Sequence, residues 1–355
     1  MKKLLVIILI GLCLVSCSKE PVSIDVGEEP EVYWCTHSET SRSDGMYFLQ
    51  DFKYRGGANN TLCYADFANC IITVACPQPN CPHTDPDTCY ALGVTNGAGA
   101  VLPHGGKIYW LFVEDGYTTV FRANADGTER RKVCKIEEKD GFSSQLCAVG
   151  EKMYFLRDDK WELIHGDDGS LTEPPRSSYI YSFDFETNIA EELYDLIDLF
   201  PNTDRFLCGI DGVWDGGIYI GVTALRGEWS ATRCELRYDI ELGTLEKLDF
   251  EPWKISGEYM VLREGSSIRV KRAGGGEYFF KDVGASILMG ARVVNDKLFV
   301  EGVVIELETG KRFKNLCAAL PGPIAFLGGK YLIYDDRAHT LTAVAEDKLV
   351  GKALD

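Results

Sequence analysis

Three cysteines and one histidine lie within a segment of fourteen residues, Cys76-Pro-Gln-Pro-Asn-Cys81-Pro-His83-Thr-Asp-Pro-Asp-Thr-Cys89, with the spacing C-x4-C-x-H-x5-C. Three thiolates and one imidazole form a complete tetrahedral ligand set for zinc and leave no open position for catalysis. Four prolines in the segment prevent a helix and favour tight turns that bring its two ends together. The segment therefore predicts a structural zinc site formed by Cys76, Cys81, His83 and Cys89.

A disulfide is the alternative interpretation of this cluster, with Cys89 paired to Cys76 or to Cys81 and His83 incidental. The chain has 13 cysteines, and eleven remain when Cys13 and Cys17 are assigned to the export segment described next. Exported proteins often pair cysteines, but an odd number leaves at least one unpaired or bound to metal. Under either interpretation the cluster is structural, because it staples a long loop that has no core of its own.

The N-terminus has the features of a bacterial export signal. Two lysines precede the apolar run Leu4 to Leu14, which is too short to span a membrane as a helix. The run ends in Leu14-Val15-Ser16-Cys17, which resembles the lipobox of bacterial lipoproteins. The resemblance implies cleavage before Cys17 and attachment of diacylglycerol to its thiol. We expect residues 1–16 to be the signal peptide and residues 17–30 to be a lipidated, flexible tether that anchors an exported domain at the cell surface or the periplasmic side of the membrane.

The charge of the chain excludes some classes of partner. The sequence has 355 residues, with 37 basic and 54 acidic side chains. Loss of Lys2 and Lys3 with the signal peptide leaves 339 residues, 35 of them basic, and a net charge of −19. A nucleic-acid-binding surface needs a basic stripe, so we expect no nucleic-acid partner. We expect the lipid, rather than attraction to anionic headgroups, to link the domain to the membrane.

A short strand motif recurs along the rest of the chain at steps of 33 to 65 residues. It consists of small or polar residues followed by two apolar ones, and a second strand that often ends in Asp or Glu follows it. We expect those acidic residues to stabilise turns. Repeats of about 40–45 residues with about four strands each are typical of a β-propeller. Residues 31–355 therefore predict an all-β fold with seven blades, although six or eight also fit. The copies are Asp44-Gly45-Met46-Tyr47, Gly106-Lys107-Ile108-Tyr109, Glu151-Lys152-Met153-Tyr154, Gly216-Gly217-Ile218-Tyr219, Gly257-Glu258-Tyr259-Met260, Asp296-Lys297-Leu298-Phe299 and Gly329-Lys330-Tyr331-Leu332.

The strand order of such blades predicts which loops share a face. Connections between the second and third strands lie on the same face as connections between blades. That face would carry the Cys/His loop, an insertion from Arg157 to Ser178 in blade 3 and a shorter loop in blade 4. Aromatic, acidic and arginine side chains in these connections fit a surface for a sugar or peptide ligand, and solvated loops are the alternative. The candidate ligand-binding residues are Trp161, His165, Asp167, Asp168, Asp204, Arg205, Arg226, Glu228 and Trp229.

The chain resembles bacterial propeller lipoproteins of uncharacterised function. The resemblance rests on Tyr64-Ala65-Asp66-Phe67, the cysteine-rich loop that follows it, and Tyr90-Ala91. The repeat is also similar to the propellers of low-density-lipoprotein-receptor modules, although their YWTD tetrad is absent. The resemblance implies a propeller fold and an extracytoplasmic location, and it implies no activity.

The sequence leaves three functions open. No G-x-S-x-G elbow, calcium-binding D-x-D-x-D-G run or sialidase-like box occurs. The preferred hypothesis is a membrane-anchored binding or scaffold module for a protein or envelope glycan, and catalysis is not assigned. A propeller glycan hydrolase is the alternative, and it would need two carboxyl groups, such as those of Asp167, Asp168 and Asp204, about 5–10 Å apart across the channel mouth. A scaffold for envelope assembly is the third hypothesis, and it rests on analogy of fold alone.

Overall fold

The computed structural model is an all-β protein built from short antiparallel sheets. It describes residues 32–36, 39–41, 45–52, 59–83, 88–92, 101–114, 117–136, 141–159, 164–165, 171–172, 177–201, 203–226, 230–250, 252–283, 291–300, 302–316, 323–335 and 340–354. The predicted signal peptide, Cys17 and the tether lie outside these residues. Among the described residues, no helix combines the length and apolar character needed to cross a bilayer.

The first three blades each contain four strands, and an additional N-terminal strand, β1, precedes them. A two-stranded hairpin is inserted in blade 3. The strands are β1 (Val32–Thr36); β2 (Glu39–Ser41), β3 (Gly45–Phe52), β4 (Asn59–Asp66) and β5 (Ile71–Val74) in blade 1; β6 (Val101–His104), β7 (Lys107–Glu114), β8 (Tyr117–Asn124) and β9 (Arg131–Ile136) in blade 2; and β10 (Gly141–Val149), β11 (Lys152–Asp158), β14 (Ser178–Asp184) and β15 (Ala190–Asp195) in blade 3, with the inserted hairpin β12 (Ile164–His165) and β13 (Leu171–Thr172).

The last four blades follow the same pattern, with two variations at the end of the chain. Among the described residues, blade 7 has three strands, and the C-terminal strand β31 pairs with the outer strand of blade 6. The strands are β16 (Arg205–Trp214), β17 (Gly217–Arg226), β18 (Ser230–Asp239) and β19 (Thr244–Leu248) in blade 4; β20 (Pro252–Ser256), β21 (Tyr259–Glu264), β22 (Ser267–Arg272) and β23 (Glu277–Phe280) in blade 5; β24 (Arg292–Val294), β25 (Lys297–Val300), β26 (Val303–Glu306), β27 (Arg312–Asn315) and β31 (Val350–Leu354) in blade 6; and β28 (Ala325–Leu327), β29 (Lys330–Asp335) and β30 (Thr340–Ala345) in blade 7. The helical elements are a 3-10 turn, Leu196–Asp198, and α1, Glu346–Leu349.

Apolar side chains join the blades into a closed ring. In the described part of the chain, seven clusters of buried residues each lie between two neighbouring blades. The cluster that closes the ring joins Met46 and Phe48 of blade 1 to Leu332 and Tyr334 of blade 7, and the Phe48 and Tyr334 rings lie 5.1 Å apart. Each fully buried Leu, Met or Phe side chain contributes about 1.5–3 kcal/mol of hydrophobic free energy. The seven-bladed propeller predicted from the repeat is confirmed.

The recurring sequence motif begins the second strand of each blade, as in β7, β17 and β29. A tight turn connects this strand to the first one. In blade 4 the turn is Asp215-Gly216, and both residues have positive φ, 47° and 74°. Two residues of positive φ are typical of a type I′ turn, whose twist matches that of the strands it joins. Glycine and aspartate therefore recur before the apolar residues because the hairpin requires this backbone geometry.

The acidic residues that end the third strands stabilise turns, as expected. Asp184 Oδ1 accepts hydrogen bonds from the backbone N–H groups of Thr187, at 2.8 Å, and Glu186, at 3.1 Å. Asp239 Oδ1 accepts one from the N–H of Leu242 at 2.9 Å. Because these bonds favour the ionised carboxylate, they lower the pKa of both side chains. These residues are part of the scaffold.

Antiparallel pairing gives the propeller two distinct faces. The turn face carries the connections between strands one and two and between strands three and four, for example Gly150-Glu151 and 240–243. The loop face carries the connections between strands two and three and between blades. The insertion between β11 and β14 and the connection between β17 and β18 belong to the loop face.

Candidate metal centre

Both ends of the Cys/His loop are fixed by one residue of blade 1. The N–H of Ala75 donates to the carbonyl oxygen of Leu62 at 2.9 Å, and the N–H of Leu62 donates to the carbonyl oxygen of Ala91 at 3.0 Å. Strand β5 ends at Val74, so the returning chain takes its place along β4. These bonds bring Cys76 and Cys89 together, although they are 13 residues apart in sequence.

Tight turns place the other two ligands of the proposed site. The N–H of Cys76 donates to the Val74 carbonyl at 2.8 Å, and that of Cys81 to the Gln78 carbonyl at 3.3 Å. Asn80 and His83 have positive φ, 57° and 51°. Non-glycine residues seldom adopt this left-handed conformation, and here it reverses the chain twice within a few residues. The segment is thereby folded back on itself.

The four side chains converge as a zinc site requires. Their ligand atoms all lie within 4.8 Å of one another. His83 Nδ1 lies 3.2 Å from Cys89 Sγ, and Cys89 Sγ lies 3.9 Å from Cys76 Sγ. Two sulfurs bound to one tetrahedral zinc at about 2.3 Å are separated by about 3.8 Å. The donor set and its spacing therefore fit one zinc ion bound by Cys76, Cys81, His83 and Cys89.

The cysteines of this cluster are free thiols in the structure. Cys76, Cys81 and Cys89 are among nine described cysteines that form no disulfide. The 3.9 Å between Cys76 Sγ and Cys89 Sγ exceeds the sulfur–sulfur bond length of about 2.05 Å. His83 also points at the sulfurs, which the disulfide interpretation leaves unexplained. The geometry favours metal binding over a disulfide.

Burial affects the protonation of two ligands. The pKa of the Cys89 thiol is raised to about 12, mainly by burial. The backbone N–H groups of Leu92 and Ala91 oppose this shift, and the neighbouring Cys81 and Cys76 add to it. Burial lowers the pKa of His83. In the metal-free protein at neutral pH, His83 is thus a neutral ligand and Cys89 keeps its proton. Metal binding must displace that proton, because zinc is bound by the thiolate.

Blade 2 holds the far end of the loop. Arg130 Nη2 donates to the carbonyl oxygens of Tyr90, at 3.1 Å, and Leu92, at 3.0 Å. Gly127 lies so close that a Cβ there would be 2.6 Å from the Tyr90 carbonyl oxygen. Cys89 itself packs in the apolar cluster that joins blades 1 and 2, which includes Trp110. The candidate metal centre therefore lies between two blades.

Comparison with known proteins supplies no family. No family model matches the chain, and no curated protein matches it. The solved structures named here are distant likenesses. The chain is similar to TolB from Acinetobacter baumannii, at 15% identity and a TM-score of 0.34, over 75% of this chain and 61% of that one. It is also similar to an acylaminoacyl peptidase from Pyrococcus horikoshii, at 12% identity and a TM-score of 0.43, over 86% of this chain and 51% of that one.

A third likeness is to the propeller domain of the Trilobed protease from Pyrococcus furiosus, at 12% identity and a TM-score of 0.37, over 90% of this chain and 93% of that one. This chain spans 61% and 51% of the length of the first two proteins. At these identities the likeness concerns the fold alone. The blade number given above rests on the strands and interfaces of this chain.

Three of the predicted ligand-binding residues lie together at one end of blade 4. Asp204, Arg205 and Arg226 are exposed on the loop face. The N–H of Asp204 donates to the Leu225 carbonyl at 2.8 Å, and Arg205 pairs with Leu225 in the sheet, so the three are neighbours. His165 belongs to β12, which is described by its backbone alone. Trp161, Asp167, Asp168, Glu228 and Trp229 lie outside the described residues, and their role remains a prediction.

A cavity of about 410 Å³ lies on the turn face, where the sequence predicted no site. Its walls come from blades 3, 4 and 5 and are mostly apolar. Asp215 and Glu258 lie at its edge, and Trp214 Nε1 donates to the Glu258 carbonyl at 2.9 Å. No local sequence signal marks it, because its lining residues belong to the turns that every blade shares. The apolar lining residues are Val149, Val213, Trp214, Ile240, Ile255 and Ala273.

Proposed function

We propose that this protein is a lipid-anchored, extracytoplasmic β-propeller that serves as a binding or scaffold module for a protein or an envelope glycan. The observation that carries the proposal is the closed ring of seven blades. Because buried clusters join every pair of neighbours, the ring is a stiff platform for the connections on its faces. The lipobox motivates the membrane anchor, and the insertion in blade 3 supplies the longest loop-face connection within a blade.

The loop face supplies suitable contact groups. Asp204, Arg205 and Arg226 place one carboxylate and two guanidinium groups at the same exposed end of blade 4. Guanidinium groups bind carboxylates in a bidentate manner and stack on flat surfaces. Trp161 and Trp229, which the sequence places in adjacent connections, would add aromatic surfaces of the kind that bind sugars and peptides. We propose this face as the ligand-binding surface.

The cavity on the turn face gives no support to the hydrolase alternative. Glu258 is ion-paired with Arg272 Nε at 2.9 Å, and Asp215 Oδ1 accepts the N–H of Gly274 at 3.3 Å. Both carboxylates are thus engaged by groups of blade 5, and the described lining of the cavity supplies neither a histidine nor a further carboxyl group. We therefore retain the binding module as the proposed function.

The zinc centre has a structural role in this proposal. When bound, zinc supplies a cross-link between the two ends of the loop. Cys76 joins the end of β5 to the centre, and Cys89 joins the segment that blade 2 holds through Arg130. The metal thus stabilises the packing of blade 1 against blade 2, and it takes no part in ligand chemistry.

The proposed membrane anchor is tested by replacing Cys17 with alanine. The variant lacks the thiol that receives the lipid, so we expect it to leave the membrane fraction or to accumulate with its signal peptide attached. Fractionation of cells and the mass of the intact protein give the answer. Cys70→Ser, which alters a cysteine inside the domain, is the control and should fractionate as the unaltered protein does. Unchanged fractionation and mass of Cys17→Ala would contradict a lipid anchor.

The binding surface is tested with a photo-crosslinking residue in place of Arg226, on the loop face, or Leu242, on the turn face of the same blade. Leu242 is 72% exposed, so both positions tolerate a large side chain. We expect ultraviolet irradiation of cells to give a discrete adduct with protein or glycan at position 226 and none at position 242. An adduct at position 242 alone, or none at either, would contradict the assignment.

A further inference from the structure

The described chain begins at the turn face, close to the propeller axis. Strand β1 pairs with β10, the innermost strand of blade 3, with Val32 opposite Val149 and Cys35 opposite Leu146. Val149 precedes the Gly150-Glu151 turn, which belongs to the turn face. Strand β1 therefore starts at the turn face and runs toward the loop face, before β2 returns as the inner strand of blade 1.

From this polarity we propose that the turn face points toward the membrane and the loop face points away from it. The inference rests on the proposed lipid anchor at Cys17. The tether then joins the lipid to the centre of the turn face. A partner on the outer side of the domain would meet Asp204, Arg205, Arg226 and the insertion in blade 3.

The length of the tether makes this orientation strongly preferred. Residues 17–31 form a chain of fifteen residues, with a contour length of about 50 Å. A flexible chain of this length has a typical end-to-end distance of about 21 Å. When the turn face points toward the membrane, the tether needs to cover only the gap between the turn face and the membrane surface. A tether of this length does so without being stretched.

The inverted orientation would stretch the tether around a whole blade. The path crosses three strand spacings from the inner to the outer strand, about 14 Å, and then the height of an eight-residue strand such as β7, about 26 Å. A flexible fifteen-residue chain has an end-to-end distance of about 40 Å roughly tenfold less often than its typical distance of about 21 Å. The inverted orientation is therefore a minor population.

Energy transfer to labelled lipids tests the orientation. Full-length lipidated protein is reconstituted in phosphatidylcholine vesicles that carry an acceptor dye on a fraction of the headgroups. A donor dye is attached through a genetically encoded azide at Leu242 or at Arg226, because thiol labelling would also modify the native cysteines. The two sites lie near opposite ends of β17 and β18, since Gly217 pairs with Asp239 and Arg226 with Ser230. Ten residues of strand separate the two ends by up to about 33 Å.

We expect the donor at residue 242 to transfer energy at least roughly fivefold more efficiently than the donor at residue 226, because the inverted orientation is rare. Insertion of twenty Gly/Ser residues after Ser18 should reduce the difference, because the longer tether no longer restricts the domain. Equal transfer at both sites with the native tether, or stronger transfer at residue 226, would overturn the orientation. Protein that does not float with the vesicles would overturn the lipid anchor instead, so the two failures are distinguishable.

Discussion

Replacing Cys89 with serine is expected to abolish zinc binding and to lower the melting temperature by about 5–10 °C. Cys89 is 2% exposed, and its Sγ lies 3.2 Å from Nδ1 of His83, another of the four proposed ligands. A hydroxyl is a poor zinc ligand, and this one would be buried in an apolar cluster. Loss of the metal cross-link and burial of the hydroxyl together should lower the free energy of unfolding by about 3 kcal/mol or more. Calorimetry and elemental analysis of the purified protein measure both effects.

Cys70→Ser is the matched control for this substitution. Cys70 is a half-buried free thiol in the same blade, and it contacts the Phe67 carbonyl rather than the cluster. The control should keep one zinc per chain and nearly the full melting temperature. A chelator should destabilise the unaltered protein and the control, and it should leave Cys89→Ser unchanged. A Cys89→Ser variant that retained zinc and full stability would show that Cys89 is not a ligand.

Gly127→Ala is expected to destabilise the domain by about 2–4 kcal/mol and to weaken its retention of zinc. Gly127 has φ of 84°, and a new Cβ would lie 2.6 Å from the carbonyl oxygen of Tyr90, the residue after Cys89. Backbone rather than a flexible side chain meets the methyl group, so Tyr90 must move and Cys89 with it. Denaturant unfolding gives the free energy, and zinc release to a chromogenic chelator gives the retention.

Gly105→Ala is the control that separates the effect of the clash with Tyr90 from the effect of backbone strain at positive φ. Gly105 also has positive φ, 55°, but a Cβ there would meet nothing within 4 Å. This control should cost about 1 kcal/mol and should leave zinc release unchanged. If both glycine variants lost the same stability and released zinc at the unaltered rate, the packing of blade 2 on the loop would play no part in holding the metal centre.

The sequence predicted the features that depend on local chemistry. The recurring motif before Tyr109, Tyr154 and Tyr219 reflects a hairpin turn that every blade needs, so the blade number could be derived from it. The Cys/His cluster could also be identified, because its four ligands lie close together in sequence. The backbone bonds that close it, through Leu62, depend on where β5 ends and were not visible in the spacing.

The features that the sequence did not predict depend on pairing between distant segments. Strand β31 joins blade 6 rather than blade 7, and β1 pairs with blade 3 although it precedes blade 1. Neither strand carries the recurring motif. Arg130 and Gly127 could not be assigned to the candidate metal centre either, because they contact Tyr90 from 40 and 37 residues away in sequence. Long-range pairings of this kind leave no periodic trace.

The zinc centre is tested most directly by X-ray absorption at the zinc edge, combined with elemental analysis and a count of thiols before and after chelation. We expect about one zinc per chain, three sulfurs at about 2.3 Å and one nitrogen at about 2.0–2.1 Å, with three thiols becoming reactive when the metal is removed. Protein that contains no zinc, and in which chelation leaves the thiol count unchanged, would contradict the metal centre and leave the loop as a disulfide staple.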